Sequence, residues 1–491
     1  LTPIKEGARA TIEAVSNDKP DHIVVGVNER DPQIFDLYMV DVTTGERVLL
    51  KENPGYAAWI IDNALEPRFG FVPTPEGGGN VVDFEGNVFA VIPAEDFLAT
   101  QAIGFNEDNT AVYMVDSRER DKAALTIVDI SSKESRELAS SDVADINNIL
   151  MDPATRTPVA FSVNHLKTAW SAMTPEAEDD LAAISAKLKG SLSILSTTHD
   201  MSHWVLHEDS SDKPGAYYIY DRTDRSVSQL LVSRPELAAY ELAPMQAMVI
   251  KSRDGLELVS YLTLPLGSDT DGDGRPEAPV PMVLAVHGGP WARDEYGYNS
   301  WHQWMANRGY AVLSVNYRGS TGFGKAFTRA AIREFSGKMH DDLIDGVDWA
   351  IAEGIADPEK VAITGGSYGG YATLVGVSFT PDKFACGVDI VGPSSLVTLI
   401  ESFPEYWKPF LAGTWYTYVG DPANEEDRAD MLARSAISRI DDIKVPLLVG
   451  QGENDPRVTK QESDQLVDAM AAKEQQVTYV NFPDEGHGFA R

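Results

Sequence analysis

The chain has 491 residues, of which 43% are hydrophobic, and its formal net charge is −34 at neutral pH. This length exceeds one ordinary hydrophobic core, so we expect two or more domains, and the single cysteine, Cys386, excludes an internal disulfide framework. A surface this negative repels nucleic acid and anionic lipid, and no apolar run is long enough to span a membrane, so we exclude both as partners.

The first half of the chain consists of short runs of alternating hydrophobicity, broken by Gly, Pro, Asn and Asp. An apolar or aromatic run that ends in aspartate before a polar turn recurs at 37–41, 81–83, 125–129 and 217–221. The first three aspartates are spaced by about one four-stranded propeller blade, and the fourth follows after about two. This period predicts an all-β propeller of which about four to five blades are present, and a β-sandwich with similar turns is the alternative.

One segment departs from the strand pattern. Thr174 suits a helix N-cap, Pro175 the first helical position and Gly190 the C-terminal cap, so a helix inserted between blade strands is predicted. A linker is expected at about 233–246, where the strand rhythm stops. The predicted domains are therefore 1–235, the propeller, and 236–491.

The second domain alternates strands with helices. A hairpin is predicted around Asp254-Gly255, and helical spacing is present over 343–351. Short apolar runs recur at 283–286, 311–315, 361–363, 387–390, 447–449 and 477–480. The alternation predicts a doubly wound, mostly parallel sheet with helices on both faces, which is the architecture of an α/β-hydrolase domain.

The second domain is organised around Gly365-Gly366-Ser367-Tyr368-Gly369-Gly370. This run follows the apolar run 361–363 and precedes a predicted helix over 371–379, which is the strand–turn–helix context of a Gly-x-Ser-x-Gly nucleophile elbow. The glycines have no Cβ and allow the strained turn and the close approach of the helix. We therefore predict Ser367 as the nucleophile, against the alternative of a glycine-rich turn with an incidental serine.

A serine hydroxyl needs a base, which is typically a histidine oriented by a carboxylate. In doubly wound hydrolases the chain order is serine, then acid, then histidine. Asp455 and His487 follow Ser367 in that order, and each comes just after an apolar strand. Asp455 is the predicted acid, with Glu453 as its rival, and His487 is the predicted base.

The oxyanion of such a reaction needs two N–H donors. One is expected to be the backbone N–H of Tyr368, directly after the nucleophile, and the other to come from the loop His287-Gly288-Gly289-Pro290-Trp291. Gly289 is the predicted second donor. His287 is expected to brace this loop rather than act as the base, because it precedes the nucleophile in the chain.

These motifs together resemble the prolyl oligopeptidase family of serine peptidases, in particular its acylaminoacyl-peptidase and dipeptidyl-peptidase-like branch. The resemblance covers about residues 275–490. The sequences that carry it are His287-Gly288-Gly289-Pro290, Asn316-Tyr317-Arg318-Gly319-Ser320, Gly365-Gly366-Ser367-Tyr368-Gly369-Gly370, Asn454-Asp455 and Gly486-His487.

The resemblance implies a propeller, usually seven-bladed, joined to an α/β-hydrolase domain. It implies Ser367, Asp455 and His487 as the catalytic triad, and it implies that Arg457 holds a backbone carbonyl of the substrate. Because only part of such a propeller is present and the usual final helix does not follow His487, we expect the chain to be a fragment of a longer protein.

A separate acidic loop contains Asp269, Asp271 and Asp273, alternating with small residues. Alternating aspartates before a glycine resemble a calcium-binding loop, although Val280 stands where an EF-hand has its final glutamate. A solvated acidic loop is the alternative. No cofactor is required by the predicted chemistry, and a structural calcium ion is a hypothesis.

The sequence thus predicts a soluble serine-type peptidase that acts on oligopeptides through an acyl-enzyme. A carboxylesterase with the same triad and a non-catalytic propeller scaffold for protein partners are the alternatives. Trp407, Trp415 and Tyr416 are candidates either for a specificity pocket or for packing. The choice between exopeptidase and endopeptidase, the compartment (cytoplasmic, periplasmic or secreted) and the oligomeric state stay open.

Overall fold

The structure is a computed structural model that describes residues 4–489. The chain divides into two compact units. The first contains the chain up to Val163, the tripeptide His199–Met201 and the segment Phe403–Thr417, and the second contains Asn164–Thr198, Ser202–Ser402 and the chain from Tyr418 on. No helix within residues 4–489 combines the length and the apolar character needed to cross a membrane.

The strands of the first half form five consecutive small sheets among the described residues, each built from strands in chain order. Four of them have four antiparallel strands: β1 Ala10–Val15, β2 His22–Asp31, β3 Ile34–Asp41 and β4 Arg47–Lys51; β5 Ala58–Ile61, β6 Pro67–Pro73, β7 Gly79–Val82 and β8 Val88–Ile92; β9 Gln101–Phe105, β10 Ala111–Asp116, β11 Ala124–Asp129 and β12 Ser135–Ala139; and β16 Ser191–Thr197, β17 His203–Ser210, β18 Lys213–Asp221 and β19 Ser226–Val232. The remaining sheet has three strands: β13 Ile146–Met151, β14 Pro158–Asn164 and β15 Thr168–Ala172.

The recurring aspartates fall at one equivalent place in the four-stranded sheets. Asp41, Asp129 and Asp221 end the third strand of their sheets, and Asp83 directly follows the third strand of its sheet. The prediction of a repeated strand that ends in a polar turn is therefore confirmed.

Hydrogen bonds explain why aspartate recurs at these turns. The carboxylate of Asp129 accepts the backbone N–H groups of Ser131 and Ser132 at 2.9 and 2.8 Å, and Asp41 accepts those of Thr43 and Thr44 at 2.8 and 3.0 Å. In these turns the aspartate carboxylate accepts hydrogen bonds from backbone N–H groups that no longer pair with a neighbouring strand, which is the usual role of such an aspartate. Hydrogen bonds from the two serines, led by the Ser132 N–H, lower the pKa of Asp129 to about 2.

The inserted helix is present but ends earlier than predicted. Helix α1 spans Pro175–Lys187, and its N-cap Thr174 accepts the N–H of Ala177 at 3.2 Å. Its C-cap is Leu188, in extended conformation, so the assignment of Gly190 as the C-terminal cap was wrong. Helix α1 lies between β15 and β16, and so joins two sheets rather than two strands of one sheet.

The second half contains one eight-stranded sheet. Its spatial order is β20-β21-β23-β22-β24-β25-β26-β27, in which β21 is antiparallel to its neighbours β20 and β23 and all the other neighbouring pairs are parallel. The strands are β20 Met245–Lys251, β21 Glu257–Thr263, β22 Val280–Val286, β23 Ala311–Val315, β24 Ala356–Gly366, β25 Cys386–Ile390, β26 Leu447–Gly452 and β27 Val477–Phe482. The predicted hairpin, joined through Gly255 at φ +92°, and the mostly parallel sheet are confirmed.

Seven helices accompany this sheet within the described residues: α2 Ser300–Ala306, α3 Lys325–Arg329, α4 Lys338–Ala352, α5 Tyr368–Phe379, α6 Leu396–Glu401, α7 Glu425–Ala433 and α8 Lys460–Ala471. Short 3₁₀ segments lie at Ala94–Asp96, Pro235–Ala239, Glu405–Phe410 and Ala436–Asp442, and a π-helical turn lies at Ala412–Tyr416. Helix α5 is almost entirely buried and packs on β24 and β25.

The register of the sheet decides which loops meet. Val286 pairs with Gly365, and Gly366 pairs with Ile390, so the loops after β22, β24 and β25 leave the sheet side by side. Gly452 pairs with Phe482 in the same way, which brings together the loops after β26 and β27. The carboxyl ends of parallel strands thus gather the predicted site residues at one edge, where open α/β sheets bind ligands.

Candidate active site

Ser367 stands at the turn between β24 and α5. Its φ and ψ angles are 58° and −117°, a region that a residue with a side chain rarely adopts. Its N–H donates to the Ile390 carbonyl at 2.9 Å, and its own carbonyl accepts the N–H of Tyr371 at 3.0 Å. The strained turn is therefore held by the neighbouring strand on one side and by the helix on the other, as an elbow requires.

The glycines of the elbow are needed because backbone atoms approach them closely. A Cβ on Gly365 would lie 2.4 Å from the Val286 carbonyl oxygen, and one on Gly369 would lie 2.1 Å from the same atom. No side chain fits at these distances. The two glycines allow the elbow to pack against the end of β22.

Asp455 and His487 are joined by a short hydrogen bond. The imidazole Nδ1 lies 2.6 Å from Asp455 Oδ2, while Oδ1 accepts the backbone N–H groups of Arg457 and Val458 at 2.8 and 3.0 Å. The Asp455 side chain is buried, whereas His487 is partly exposed. Three N–H donors hold the carboxylate in place, and the carboxylate in turn orients the imidazole with Nε2 free.

The rival acid, Glu453, has different surroundings. It is exposed, and its Oε2 accepts a hydrogen bond from Asn481 Nδ2 at 3.2 Å. Of the two acids, Asp455 is the one bonded to His487.

Ser367 and His487 line the same cavity of 990 Å³. Gly288, Ile390 and Val391 are also part of its lining, as are the two carboxylates Asp294 and Glu485. Burial raises the pKa of Asp294 to about 7. The cavity lining therefore combines the serine and the histidine with mostly apolar side chains and a small number of charged ones, which is typical of substrate sites.

The two predicted oxyanion donors are Tyr368, next to Ser367 in the chain, and Gly289, in the loop after β22. Tyr368 is the first residue of α5, where a backbone N–H has no partner within the helix. A Cβ on Gly288 would lie 3.5 Å from Ser367 Cβ, so the loop after β22 reaches the nucleophile. Gly289 follows with φ +126°, a conformation that favours glycine. The role of Gly289 as a donor stays a prediction.

His287 has the surroundings of a bracing residue. Its Nδ1 donates to the Gly288 carbonyl at 2.8 Å, its Nε2 lies 2.9 Å from Ser320 Oγ, and its ring stacks on Tyr317 with centroids 4.5 Å apart. Burial lowers its pKa to about 4, so the imidazole is neutral near pH 7. These contacts agree with the expectation that His287 supports the loop.

The structure also shows a strained turn that sequence reasoning missed. Val391 lines the cavity at φ 47°, which is unusual for a β-branched residue, and Asp389 Oδ1 accepts the Gly392 N–H at 2.9 Å. Burial raises the pKa of Asp389 well above its ordinary value. The sequence contains only a weak signal for this turn, since Gly392-Pro393 marks the end of a strand without indicating strain.

Arg457 is exposed, and its guanidinium makes no hydrogen bond or ion pair with another residue of the described chain. Trp407 and Trp415 each pack against Phe403, with ring centroids 4.9 Å apart, and together with Tyr416 they lie in the segment 403–417 of the first unit. The two tryptophans therefore make packing contacts, and a role in a specificity pocket stays a prediction.

Asp269, Asp271 and Asp273 lie in the loop between β21 and β22, with one carboxylate oxygen of each within 4.8 Å of the others. Asp269 also accepts the N–H groups of Gly272 and Gly274 at 2.8 and 3.0 Å. Calcium takes about six to eight oxygen ligands, of which these three residues would supply a part. The calcium hypothesis stays a prediction.

Comparison with known proteins identifies the family. A sequence profile of the prolyl oligopeptidase family matches residues 296–491. Dipeptidyl aminopeptidase BIII of Pseudoxanthomonas mexicana is 47% identical, in an alignment that covers 100% of this chain and 72% of that protein. Dipeptidyl peptidase family member 6 of Caenorhabditis elegans is 36% identical, over 95% of this chain and 67% of that protein. The chain belongs to the prolyl oligopeptidase family of serine peptidases, as its motifs predicted.

A solved structure shows the same fold. The puromycin-hydrolyzing peptidase of Mycobacterium tuberculosis superposes with a TM-score of 0.73 over 100% of this chain and 77% of that one. The sequence identity is 21%, so this likeness concerns the fold alone.

Proposed function

We propose that this protein hydrolyses peptide bonds through a Ser367–His487–Asp455 triad and an acyl-enzyme. The observation that carries the proposal is the 2.6 Å hydrogen bond from His487 to the buried Asp455, in a cavity that Ser367 and His487 both line. Asp455 holds Nδ1 protonated, which leaves Nε2 as the acceptor for the serine proton.

The reaction follows from these roles. Ser367 Oγ attacks the scissile carbonyl carbon while His487 Nε2 takes the hydroxyl proton. When the C–N bond breaks, the imidazolium gives that proton to the leaving amine, and the acyl group stays on Ser367. Water then attacks the ester carbonyl carbon while His487 accepts a proton from it. The imidazolium returns that proton to Ser367 Oγ as the acyl C–O bond breaks, and the second product leaves as a carboxylic acid. Asp455 stabilises the imidazolium in both halves without becoming protonated.

Two further roles complete the proposed site. The N–H groups of Gly289 and Tyr368 stabilise the oxyanion, because both belong to loops that flank Ser367. Arg457 binds a backbone carbonyl of the peptide, a role supported by its exposed guanidinium, which has no partner within residues 4–489, and by the family resemblance. No cofactor takes part in this chemistry.

The proposal extends to the domains. The five small sheets are blades of a propeller over residues 1–235, and the eight-stranded sheet with its helices is an α/β-hydrolase domain over residues 236–491. The repeated aspartate turns support the first assignment. The strand order and the elbow between β24 and α5 support the second.

We propose short peptides with a free N-terminus as substrates, from which dipeptides are released. The 47% and 36% identical relatives named dipeptidyl aminopeptidase and dipeptidyl peptidase support this choice. The test compares two peptides of one sequence, with a free and with an acetylated N-terminus, digested by wild-type protein and Ser367→Ala, with mass-spectrometric readout. Dipeptide release from the free peptide alone is the expected result.

Three other outcomes decide against parts of the proposal. Cleavage of both peptides at internal bonds would replace the exopeptidase assignment by an endopeptidase. Ester hydrolysis with no peptide cleavage would indicate a carboxylesterase. Loss of labelling by a fluorophosphonate probe in Ser367→Ala is expected, and full labelling of that variant would overturn the nucleophile assignment.

A further inference from the structure

We propose that Tyr317 is a positioning residue that sets the spacing between the two oxyanion donors. It contacts His287, which opens the loop that carries Gly289, and it contacts the ring of Tyr368. This inference rests on the proposed function, because it assigns Tyr317 a part in the oxyanion site of that same reaction.

Tyr317 contacts the first donor loop in two ways. Its hydroxyl donates to the His287 carbonyl at 3.1 Å, and its ring stacks on the His287 imidazole at a centroid distance of 4.5 Å and an interplanar angle of 15°. The side chain is completely buried, and burial raises the pKa of its hydroxyl well above the ordinary value. The hydroxyl therefore remains a donor to this loop throughout the working pH range.

The same ring contacts the residue after the nucleophile. The Tyr317 and Tyr368 rings stack with centroids 5.1 Å apart and an interplanar angle of 29°. Phe335 packs edge-on against the Tyr368 ring, with the centroids also 5.1 Å apart. The ring of Tyr317 thus stacks on both His287 and Tyr368.

The segment that carries Tyr317 is itself rigidly held. Ser320 Oγ donates to the Tyr317 carbonyl at 2.7 Å and lies 2.9 Å from His287 Nε2. Arg318 is buried and forms paired hydrogen bonds with Asp342 and with Asp254, at 2.6 to 2.9 Å. An ion-pair network of this kind, with paired geometry, fixes the backbone on which Tyr317 stands.

Spacing matters for the reaction because oxyanion donors act only over a narrow range. They must lie about 2.7–3.1 Å from the developing negative oxygen, and a misplacement of about 1 Å can cost on the order of 10²-fold in rate. Tyr317 contacts both His287, which opens the loop of one predicted donor, and the ring of Tyr368, which is the other predicted donor.

The test compares Tyr317→Phe with Tyr261→Phe. Tyr261 is a matched control: it is completely buried, its hydroxyl donates to the Leu166 carbonyl at 3.1 Å, and it lies on β21, separated from β24 by two strands. Both changes remove one buried hydroxyl that donates to a backbone carbonyl. Only Tyr317→Phe removes a tether of the oxyanion loop, so only this variant should lose rate.

Two rates report on the oxyanion site. In phosphylation by diisopropyl fluorophosphate, Ser367 Oγ attacks phosphorus, His487 takes the hydroxyl proton and fluoride leaves, while the phosphoryl oxygen occupies the oxyanion site. We expect Tyr317→Phe to lower this rate constant about tenfold, and to lower kcat about tenfold with KM within about twofold on the dipeptidyl p-nitroanilide that wild type hydrolyses fastest. Tyr317→Leu, which also removes the stack, should lose about a further tenfold.

The outcomes separate this inference from the proposed function. Equal rates for Tyr317→Phe and Tyr261→Phe, or a change in KM alone, would overturn the positioning role of Tyr317. If Ser367→Ala is inactive in the same assay, the proposed triad still stands. An active Ser367→Ala would overturn both. A loss of rate in Tyr317→Phe with the same melting temperature as Tyr261→Phe supports the inference, because a merely structural role would change stability first.

Discussion

Two histidines follow strands of one sheet and line one cavity, yet their surroundings are opposite. His487 bonds to the buried carboxylate of Asp455 and is partly exposed. His287 meets a serine hydroxyl, a carbonyl oxygen and the face of Tyr317, and burial lowers its pKa to about 4. Closeness to the nucleophile therefore does not define the base. The carboxylate does, since it fixes the tautomer and stabilises the cation.

The largest expected effect comes from removing the proposed base. His487→Gln should lower kcat on a peptide substrate by about 10⁴ to 10⁶, because no other group accepts the serine proton. His287→Gln, its matched control, should lose only about tenfold through a looser oxyanion loop. Steady-state kinetics of both variants measure the difference, and equal losses would contradict the contrast drawn between the two histidines.

The second effect concerns the acid. Asp455→Asn should lower kcat by about 10⁴, because an amide in this position favours the wrong tautomer of His487. Glu453→Gln should stay within about twofold of wild type, since its carboxylate bonds only to Asn481 among the described residues. If Glu453→Gln causes the larger loss, the acid has been assigned to the wrong residue.

The pH dependence of activity sharpens the comparison. Activity should fall in acid, because a histidine base accepts a proton only in its neutral form. His287, with its pKa at about 4, is neutral between pH 5 and 8. His287→Gln should therefore lower kcat/KM by one factor at every pH and move the midpoint of the acid limb by less than about 0.2 unit. A larger movement would mean that His287 also titrates in the working range.

Burial of a third histidine, His302, should make the folding stability depend on pH, which is a smaller effect than those on activity. His302 is 1% exposed, and burial lowers its pKa to about 4, whereas an unfolded histidine has a pKa of about 6.5. The folded value is the lower one, so stability is fully present above pH 6.5 and is lost as the pH falls towards 4. At pH 5 the loss from this one group is about 2 kcal/mol.

Urea unfolding at pH 7 and pH 5 measures this contribution. His302→Gln supplies an amide that can bond to Thr263 and Ser314 but does not titrate. The drop in the free energy of unfolding between pH 7 and pH 5 should therefore shrink by about 2 kcal/mol in this variant. His199→Gln, at an exposed position, should leave the drop unchanged. A drop of the same size in all three proteins would show that His302 is not held neutral by the fold.

The smallest expected effect concerns calcium binding by the acidic loop. Its carboxylates differ from that of Asp455, which is buried and accepts three N–H donors. If Asp269, Asp271 and Asp273 bind calcium, 5 mM CaCl₂ should raise the melting temperature by about 2–5 °C, and Asp271→Asn should abolish most of that rise. MgCl₂ at the same concentration is the control. An unchanged melting temperature in calcium would leave the loop as a solvated acidic turn.

Much of the fold was predictable because its signals are local. The recurring aspartates end or directly follow the third strands, since their carboxylates accept the next backbone N–H groups within the same turn. The elbow was predictable for a similar reason, because a strand, two glycines and a helix are contiguous in the chain. Gly190 was misassigned because helix α1 ends at Lys187 with an extended Leu188, without a left-handed glycine.

The sequence by itself determined the strands, the elbow, and the order of Ser367, Asp455 and His487, because neighbouring residues and chain order carry that information. Only the tertiary structure showed that Asp455, and not Glu453 two residues away, is hydrogen-bonded to His487. It also showed the strained Val391 and the stack of Tyr317 on His287 and Tyr368. These features depend on strand register, which places side chains from distant loops in contact and is set by the whole sheet.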